Sequence, residues 1–329
     1  MAQSAPAGNA ADLPYAGQPA AMAFADDLAE RRGLEQAWVR QQIGQAVRLE
    51  RVTRLVLPPP TSQPKNWAAY RARFIEPRRI QAGLRFWQTH RDALARAEAT
   101  YGVPASLIVG VIGVETFYGQ HMGNFRVIDA LTTLALDFPS AHPRAEARRA
   151  FFQGELEQYL SLTYRAGIDP AAPRGSYAGA MGWPQFMPSS WIKYAVDFDN
   201  DGQVDLFESP VDAIGSVANY FRQFGWQTGM PTHYPVGIDP TRTHLDALLA
   251  PDILPTFGVA SFTDLGAHLA GDALQHTGKL ALVELENGSE PRSYVAGTEN
   301  FYVVTRYNWS SYYAMAVIEL GQAIKALLR

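Results

Sequence analysis

The sequence predicts a mainly helical α+β fold in which a small antiparallel sheet lies near the C-terminus. Apolar residues recur at helical spacing through most of residues 24–224. Beyond Gly225 the pattern changes to short alternating segments separated by turn residues, which is typical of antiparallel strands. With 329 residues and 47% hydrophobic content, the chain is long enough to bury a large core.

The N-terminal part predicts a flexible segment followed by a helical scaffold. Residues 1–20 are rich in Ala, Gly, Pro, Gln and Ser, and we expect them to be flexible. Residues 21–100 carry apolar residues at helical spacing and form the predicted scaffold. Within the scaffold, segment 52–57 is typical of an extended strand, and prolines from Pro58 onward end it.

The middle segment, 101–228, predicts a helical core. A helix is expected between Pro104, which is favoured in a first turn, and Gly119, which is a natural stop. We further expect helices over 146–164 and 209–224, and a loop rich in Gly, Pro and Ser over 167–188.

The C-terminal segment, 229–329, predicts a mixed α/β portion. Alternating patterns over 280–286, 292–296 and 301–306 predict antiparallel strands, and Asn287-Gly288 is a hairpin turn signal. We expect a closing helix over 312–328.

Composition excludes several functional classes. The formal net charge is −4 and no dense Lys/Arg block occurs, so we expect no nucleic-acid partner. The chain has no cysteine, which rules out disulfides, thiolate metal sites and a lipid on cysteine. The sequence contains no run of about 18 apolar residues, so we expect no transmembrane segment. The 7 histidines lack metal-ligand spacing, which disfavours a zinc peptidase.

A single glutamate lies on the apolar face of the predicted core helix. Ile108, Val111 and Ile112 form an apolar stripe that Glu115 continues at helical spacing. Burial and the nearby negative end of the helix dipole both raise the pKa of such a carboxyl. A general acid for glycosidic bonds needs a raised pKa. The alternative interpretation is a structural carboxyl hydrogen-bonded to backbone.

Two separated motifs carry a resemblance to a known family. Gly113-Val114-Glu115-Thr116 and the stretch 179–190, GAMGWPQFMPSS, closely resemble lytic transglycosylase B. Asp129-Ala130-Leu131, the stretch 154–157 and Tyr307-Asn308 extend this resemblance from about Phe24 to the C-terminus. The resemblance implies a lysozyme-like core, with the C-terminal α/β portion completing its cleft.

The resemblance also implies an activity. Glu115 matches the family's catalytic glutamate, which protonates the glycosidic oxygen between N-acetylmuramic acid and N-acetylglucosamine in peptidoglycan. As carboxylate it then takes the proton of the muramic acid C6 hydroxyl, which attacks C1 and leaves a 1,6-anhydromuramic acid end. Because the nucleophile belongs to the substrate, the second carboxylate of ordinary glycosidases is not needed.

Neutral hydroxyls, amides and aromatic rings are the groups expected to bind N-acetylated sugars. By motif position, Ser176, Gln185, Tyr307 and Asn308 match cleft residues of the family, and Tyr313 is a looser match. Tyr177 and Tyr220 are further candidates for substrate binding, although packing explains such aromatic residues equally well.

An EF-hand-like pattern begins at Asp197 and predicts a calcium site. The expected ligands, at positions 1, 3, 5 and 7 of the loop and in the exiting helix, are Asp197, Asp199, Asp201, Gln203 and Asp212. Glu208 has the standard final position and is the alternative to Asp212. We expect this ion to stabilise the fold and to take no part in catalysis.

Two rival functions remain. In a hydrolase of the same fold, a second carboxylate such as Asp129 or Glu155 would activate water, and a cell-wall-binding protein would keep the fold without turnover. We expect a monomer in the bacterial periplasm, with no signal or anchor segment in this chain. The expected partners are peptidoglycan glycan strands, with cell-wall synthesis proteins as further candidates.

Overall fold

The computed structural model describes residues 14–58 and 64–328. Within them the chain is mainly helical with short antiparallel strands, as predicted. The helices are α1 (Pro19–Arg32), α2 (Gln36–Gln45), α3 (Glu50–Leu55), α4 (Trp67–Ala72), α5 (Pro77–Thr89), α6 (Arg91–Tyr101), α7 (Ala105–Thr116), α8 (Val127–Leu136), α9 (Ala145–Ala166), α10 (Pro188–Tyr194), α11 (Pro210–Gln223), α12 (Leu245–Leu249), α13 (Val259–Asp264), α14 (Glu299–Thr305) and α15 (Ser311–Lys325). The strands are β1 (Phe125–Arg126), β2 (Arg174–Gly175), β3 (His233–Pro235), β4 (Gly237–Ile238), β5 (Ala267–His268), β6 (Ala281–Asn287) and β7 (Glu290–Gly297).

The chain forms two compact units from interleaved segments. The first contains 14–58, 121–193 and 206–208, and the second contains 64–120, 194–205 and 209–328. The domain boundaries predicted from the sequence follow chain order and stay a prediction. Residues 1–13 of the predicted flexible N-terminus lie outside the described residues. Tyr15 is fully buried and α1 begins at Pro19, so the expected flexibility does not extend to residue 20.

The first unit is a helical layer around one apolar core. Helix α8 packs against α9, and α1 packs against α2. Nearly every residue of α8 is buried, so its sequence lacks the polar face by which an amphipathic helix is recognised. The strand predicted over 52–57 is wrong, because residues 52–55 belong to helix α3 and residues 56–57 follow its end. Val52 is its buried residue, which fits a helix with one inward position.

Helices α7 and α15 pack closely against each other in the second unit. A Cβ atom on Gly110 of α7 would overlap the carbonyl oxygen of Val317, and one on Gly321 of α15 would overlap that of Ser106. The two backbones therefore touch at both glycines, where no side chain fits. Helix α7 is buried on nearly all sides, so the apolar stripe noted in the sequence is part of a continuous apolar surface.

The C-terminal part of the second unit carries a three-stranded antiparallel sheet in the order β3-β7-β6. The predicted hairpin joins β6 and β7 at Asn287-Gly288, and Val283 pairs with Val295. The strand predicted over 301–306 is wrong, because residues 301–305 belong to α14 and Arg306 is its C-cap. Thr298 caps that helix by accepting hydrogen bonds from the backbone N–H groups of Asn300 and Phe301.

No single helix among the described residues is both long and apolar enough to cross a membrane. Helices α6 and α7 meet the length and composition criteria only as a pair, and that pair is bent by 116°.

Candidate active site and metal loop

Glu115 lies in the last turn of α7, and the chain leaves this helix in an unusual backbone conformation. Phe117, Tyr118 and Gly119 all have left-handed φ angles, of 51°, 57° and 80°. Such angles are uncommon for bulky residues and require support from surrounding packing. The Tyr118 ring supplies it, because its hydroxyl group fills the space where Cβ atoms of Gly83 and Gly113 would lie. The end of α7 is thereby fixed against α5.

The carboxyl group of Glu115 is held by Tyr313. The Tyr313 hydroxyl group donates a hydrogen bond of 2.5 Å to Oε1 of Glu115. Tyr313 is buried in the first turn of α15, and Ser310 caps this turn by accepting a hydrogen bond from the Tyr313 backbone N–H. The hydroxyl group is therefore directed by a packed ring on a capped helix.

Further tyrosines extend this contact. The Tyr307 ring stacks on the Tyr313 ring with centroids 6.2 Å apart, and the Tyr220 ring contacts Tyr307 at 4.8 Å. The Tyr220 hydroxyl group donates a hydrogen bond of 2.7 Å to the carbonyl oxygen of Arg306. Tyr220 is buried, so its described contacts support the position of Tyr307. The structure thus brings together Glu115, Tyr220, Tyr307 and Tyr313.

The surroundings favour the neutral form of the acid. Burial raises the pKa of Glu115 from 4.5 to about 7, and the hydrogen bond from Tyr313 acts in the opposite direction. Burial and the nearby Glu115 carboxylate raise the pKa of Tyr307 and Tyr313 well above 10, so both phenols stay protonated donors. A carboxyl with a pKa near neutrality can both release and accept a proton.

Tyr70 is a neighbour of Glu115 that the sequence analysis did not select. Burial and the charge of Glu115 both raise the pKa of the Tyr70 hydroxyl group. Its ring contacts Tyr312 at 5.8 Å and Phe74 at 5.2 Å. In the sequence, Tyr70 is one of several apolar positions of a helix far from Glu115, and no local signal distinguishes it.

In the first unit, the loop from 175 to 187 carries three of the predicted cleft residues, Ser176, Tyr177 and Gln185. The Ser176 hydroxyl group accepts hydrogen bonds from the backbone N–H groups of Ala178 and Ala180, at 3.2 and 3.0 Å. Tyr177 is exposed at the tip of this turn. Gln185 has a left-handed φ angle of 51°, and its Nε2 donates to the carbonyl oxygens of Met122 and Gly182. Ser176 and Gln185 therefore also hold the loop's shape.

The two carboxylates considered for a hydrolase have structural partners in the first unit. Asp129 is buried, accepts a hydrogen bond of 3.0 Å from the Val47 backbone N–H and pairs with Arg126 at 3.3 Å. Glu155 is buried and accepts hydrogen bonds from both the backbone N–H and the hydroxyl group of Ser189, at 2.9 and 2.6 Å. Both side chains are already engaged in holding backbone segments.

The EF-hand-like loop forms a turn whose carboxylates converge. Within the described residues, carboxylate oxygens of Asp197, Asp199 and Asp212 lie within 4.8 Å of one another. Asp201 and Gln203 lie in the same loop but outside this group, and Oδ1 of Asp201 accepts a hydrogen bond of 2.8 Å from the Gln203 N–H. Three carboxylates this close repel one another unless a cation is shared between them.

Asp212, in the first turn of α11, holds the backbone of this loop through hydrogen bonds. Its Oδ1 accepts hydrogen bonds from the backbone N–H groups of Phe198 and Asp199, and its Oδ2 accepts one from that of Asp205. Ser209 caps α11 by accepting a hydrogen bond from the Asp212 N–H, so Asp212 is helix-borne, as expected. The converging group contains Asp212 and not Glu208, which favours the first of the two alternatives.

Comparison with known proteins adds a family and several relatives. Residues 16–322 match the model of the family described as "Transglycosylase SLT domain". The chain is 40% identical over 327 residues to membrane-bound lytic murein transglycosylase B of Escherichia coli (strain K12), with 94% of this chain and 84% of the relative covered.

The chain is also similar to solved structures of lytic transglycosylases. Catenated lytic transglycosylase SltB1 of Pseudomonas aeruginosa is 40% identical, with a TM-score of 0.86 and coverage of 95% of this chain and 99% of that one. The Escherichia coli lytic transglycosylase Slt35 in complex with calcium is 38% identical, with a TM-score of 0.80 and coverage of 98% and 99%. SltB3 of Pseudomonas aeruginosa in complex with NAG-NAM-pentapeptide is 28% identical, with a TM-score of 0.75 and coverage of 93% and 80%. These likenesses confirm the expected fold class with its lysozyme-like core.

Proposed function

The chain belongs to the transglycosylase SLT domain family, among the lytic transglycosylase B proteins, and from this premise we propose its reaction. The enzyme cleaves the β-1,4 bond between N-acetylmuramic acid and N-acetylglucosamine in peptidoglycan. It forms 1,6-anhydromuramic acid ends and is a polysaccharide lyase. Residues 101–228 are its catalytic core, and residues 229–329 complete the cleft.

One observation carries the mechanism: Glu115 has a pKa of about 7 and a fixed hydrogen bond from Tyr313 to Oε1. At neutral pH the carboxyl group is present in both protonation states. Because Tyr313 occupies Oε1, the proton of the neutral acid resides on Oε2. Glu115 is therefore the proton donor, and Oε2 is the atom that faces the glycosidic oxygen.

In the first step, Glu115 gives its proton to the oxygen that leaves with N-acetylglucosamine, and the bond from that oxygen to C1 of muramic acid breaks. The positive charge that develops on C1 is stabilised by the substrate's own N-acetyl group. The new carboxylate is stabilised by the short hydrogen bond from Tyr313, which strengthens when its acceptor is charged.

In the second step, the Glu115 carboxylate accepts the proton of the C6 hydroxyl group while that oxygen bonds to C1. The glutamate returns to its neutral form, and the two products together contain the atoms of the substrate strand with no added water. An attached hydroxyl group reaches C1 at a high effective concentration, so it competes with bulk water.

This chemistry uses one carboxylate, and the engagement of Asp129 and Glu155 supports it. A glycosidase that hydrolyses this bond usually needs a second carboxylate, which either activates water or forms a covalent bond to the sugar. The oxygens of both candidates already accept hydrogen bonds from Val47 or Ser189.

We assign substrate contacts to the residues matched by motif. Ser176, Tyr177 and Gln185 are proposed to contact the glycan. Tyr307, Asn308 and Tyr313 contact it near the cleavage point, with Tyr220 as a further contact. The substrate is a peptidoglycan strand, as the named ligand of SltB3 suggests.

We propose that the loop at Asp197 binds a calcium ion that stabilises the fold. The donor set fits, since hard carboxylate and carbonyl oxygens are the ligands of calcium. Slt35 has been solved in complex with calcium, which supports this assignment. The ligands are Asp197, Asp199, Asp201, Gln203 through its carbonyl oxygen, and Asp212. The ion contributes no proton and no electrophile to the reaction.

We propose that the enzyme acts in the bacterial periplasm, where its peptidoglycan substrate lies. It acts there as a monomer, and cell-wall synthesis proteins are candidate partners.

Mass spectrometry of digested peptidoglycan tests the proposed reaction. We expect the wild type to release fragments with 1,6-anhydromuramic acid ends, and Glu115→Gln to release none while remaining folded. Reducing ends, which are heavier by one water, would show a hydrolase. Binding without cleavage by the wild type would show a wall-binding protein.

A further inference from the structure

Trp309 is a large aromatic side chain on the surface of the second unit. It is 55% exposed, the highest value among the exposed large apolar side chains of the described residues. Burial of apolar area in a core therefore does not explain its presence. It directly follows Tyr307 and Asn308, the residues assigned to the cleavage point.

The indole ring is held in place although it is exposed. The Arg306 guanidinium lies over the Trp309 ring at 5.4 Å, and the Tyr302 ring meets it edge-on at 5.9 Å and 85°. Arg306 also donates a hydrogen bond of 3.3 Å to the Tyr302 hydroxyl group. Contacts of this kind are worth about 0.5–1 kcal/mol each at exposed sites. The ring is thus oriented by α14 before any ligand arrives.

The backbone beneath Trp309 is equally fixed. The Ser310 N–H donates a hydrogen bond of 2.6 Å to the Asn308 carbonyl oxygen, and the Ser310 hydroxyl group caps α15. Helix α15 carries Tyr313, which contacts Glu115. Consecutive Cα atoms are about 3.8 Å apart, so the Cα atoms of Trp309 and Tyr307 lie at most about 7.6 Å from each other. Trp309 is therefore joined by a short, fixed backbone segment to Tyr307 of the tyrosine cluster at the catalytic acid.

We propose that Trp309 is a sugar-binding platform on which one pyranose ring of the glycan strand stacks, beyond the residues that contact the cleaved bond. An oriented aromatic face matches the apolar C–H face of an N-acetylhexosamine, and a polymeric substrate supplies further sugar rings beyond those at the cleavage point. This inference rests on the proposed function, and it adds a binding subsite that acts on long strands.

Binding measurements in the inactive Glu115→Gln background test it without turnover. Calorimetry with purified strands of two and of eight alternating N-acetylglucosamine and N-acetylmuramic acid units gives the dissociation constants. We expect Trp309→Ala to weaken binding of the eight-sugar strand by about tenfold and binding of the two-sugar strand by less than about twofold. Trp309→Phe should recover most of the loss, because a smaller aromatic face remains.

Phe151→Ala is the matched control. Like Trp309, Phe151 is exposed, at 42%, and lies beside an arginine, Arg148, at 5.3 Å. Unlike Trp309, it belongs to the first unit and is far in sequence from Tyr307 and Tyr313. We expect it to leave both dissociation constants unchanged. Circular dichroism and the melting temperature of each variant show that the fold is retained.

Each other outcome overturns the inference. An equal loss for both strand lengths would show that Trp309 supports the fold of the cleavage point, and no loss for either would show that the ring contacts no sugar. If the Glu115→Gln parent bound neither strand, the proposed function would fail as well. If the parent bound both strands and Trp309→Ala bound them equally well, only the platform would fail.

Discussion

Tyr313 donates a 2.5 Å hydrogen bond to Oε1 of Glu115 although 198 positions separate the two residues in the sequence. This contact lowers the pKa of the carboxyl group, while burial raises it by more, and the result is about 7. The two opposing influences make the acid's protonation state sensitive to each of them.

Tyr313→Phe should move the pH dependence of the reaction to higher pH. Cleavage requires the protonated acid, so kcat/KM of the wild type falls as pH rises through about 7. Removing the hydrogen bond removes the influence that favours the carboxylate, so the pKa of Glu115 rises and the midpoint shifts upward by up to about 1 unit. The pH profile of kcat/KM on peptidoglycan measures this.

Tyr312→Phe is the control for that experiment. Tyr312 neighbours Tyr313 on α15, but its hydroxyl group donates to the Glu286 carbonyl oxygen at 2.9 Å. Its profile should keep the wild-type midpoint. A downward shift in Tyr313→Phe, or equal shifts in both variants, would contradict the assigned contact.

Glu115→Gln should be more stable than the wild type at alkaline pH and not at acidic pH. The pKa of Glu115 is raised on folding from 4.5 to about 7, so the neutral acid is favoured in the fold. The stability that this protonation contributes is fully present below about 4.5 and is lost as pH rises through about 7. Glutamine avoids that loss. We expect the loss to be on the order of 2 kcal/mol above pH 8, which is less than the full pKa change implies, because the Glu115 side chain is partly exposed to solvent.

Melting temperatures of both proteins at pH 5 and pH 8 give the comparison. The gain for Glu115→Gln should appear mainly at pH 8. A gain of the same size at both pH values would mean that the burial of charge is not its cause.

Calcium should stabilise the protein against heat. An ion that binds only the folded state adds about 2.7 kcal/mol when its free concentration is one hundred times Kd. A chelator should therefore lower the melting temperature, and added calcium should restore it. Differential scanning calorimetry with calcium, magnesium and chelator measures the shift.

Two variants separate ion binding from loop structure. Asp201→Ala, which removes the ligand oxygens, should abolish the calcium-dependent shift and change little in chelator, because Asp201 is exposed in the loop. Asp212→Asn should lower the melting temperature in chelator as well, since its oxygens accept three backbone hydrogen bonds. A calcium shift that survives in Asp201→Ala would remove Asp201 from the ligand set.

Gly113→Ala should destabilise the protein by about 1–3 kcal/mol, because the new Cβ would overlap the Tyr118 hydroxyl group. Gly154→Ala, within α9, is the control, since no neighbouring atom lies within 4 Å of its added Cβ. It should stabilise the helix by about 0.5–1 kcal/mol. Urea unfolding of both variants gives the two free energies. Equal signs would show that Tyr118 moves aside without cost.

The sequence was sufficient where the signal is local. The helix expected over 209–224 is α11, Asn287-Gly288 predicted the hairpin, and the spacing from Asp197 predicted the converging carboxylates. Each of these rests on hydrogen bonds or charges within a few residues, and their geometry follows from residue type and spacing.

The sequence failed where the partner is distant or the segment is short. Segments 52–57 and 301–306 carry β-branched and aromatic residues that favour strands, but tertiary packing and the Thr298 cap make them helical. Glu115 was found from its helical position, whereas Tyr70 beside it was missed. The proximity of Tyr70 to Glu115 is set by packing and by no pattern in the chain.

The backbone contacts at Gly110 of α7 and Gly321 of α15 limit the motion of the helices that carry Glu115 and Tyr313. Glu115 and its phenol donor sit on two helices whose main chains touch at Gly110 and Gly321, with no side chain between them to change rotamer. The separation of the two helix backbones at these glycines is therefore set by the van der Waals radii of backbone atoms. Heating loosens side chains before it loosens such a contact, so the proton-transfer geometry should persist until the protein unfolds as a whole.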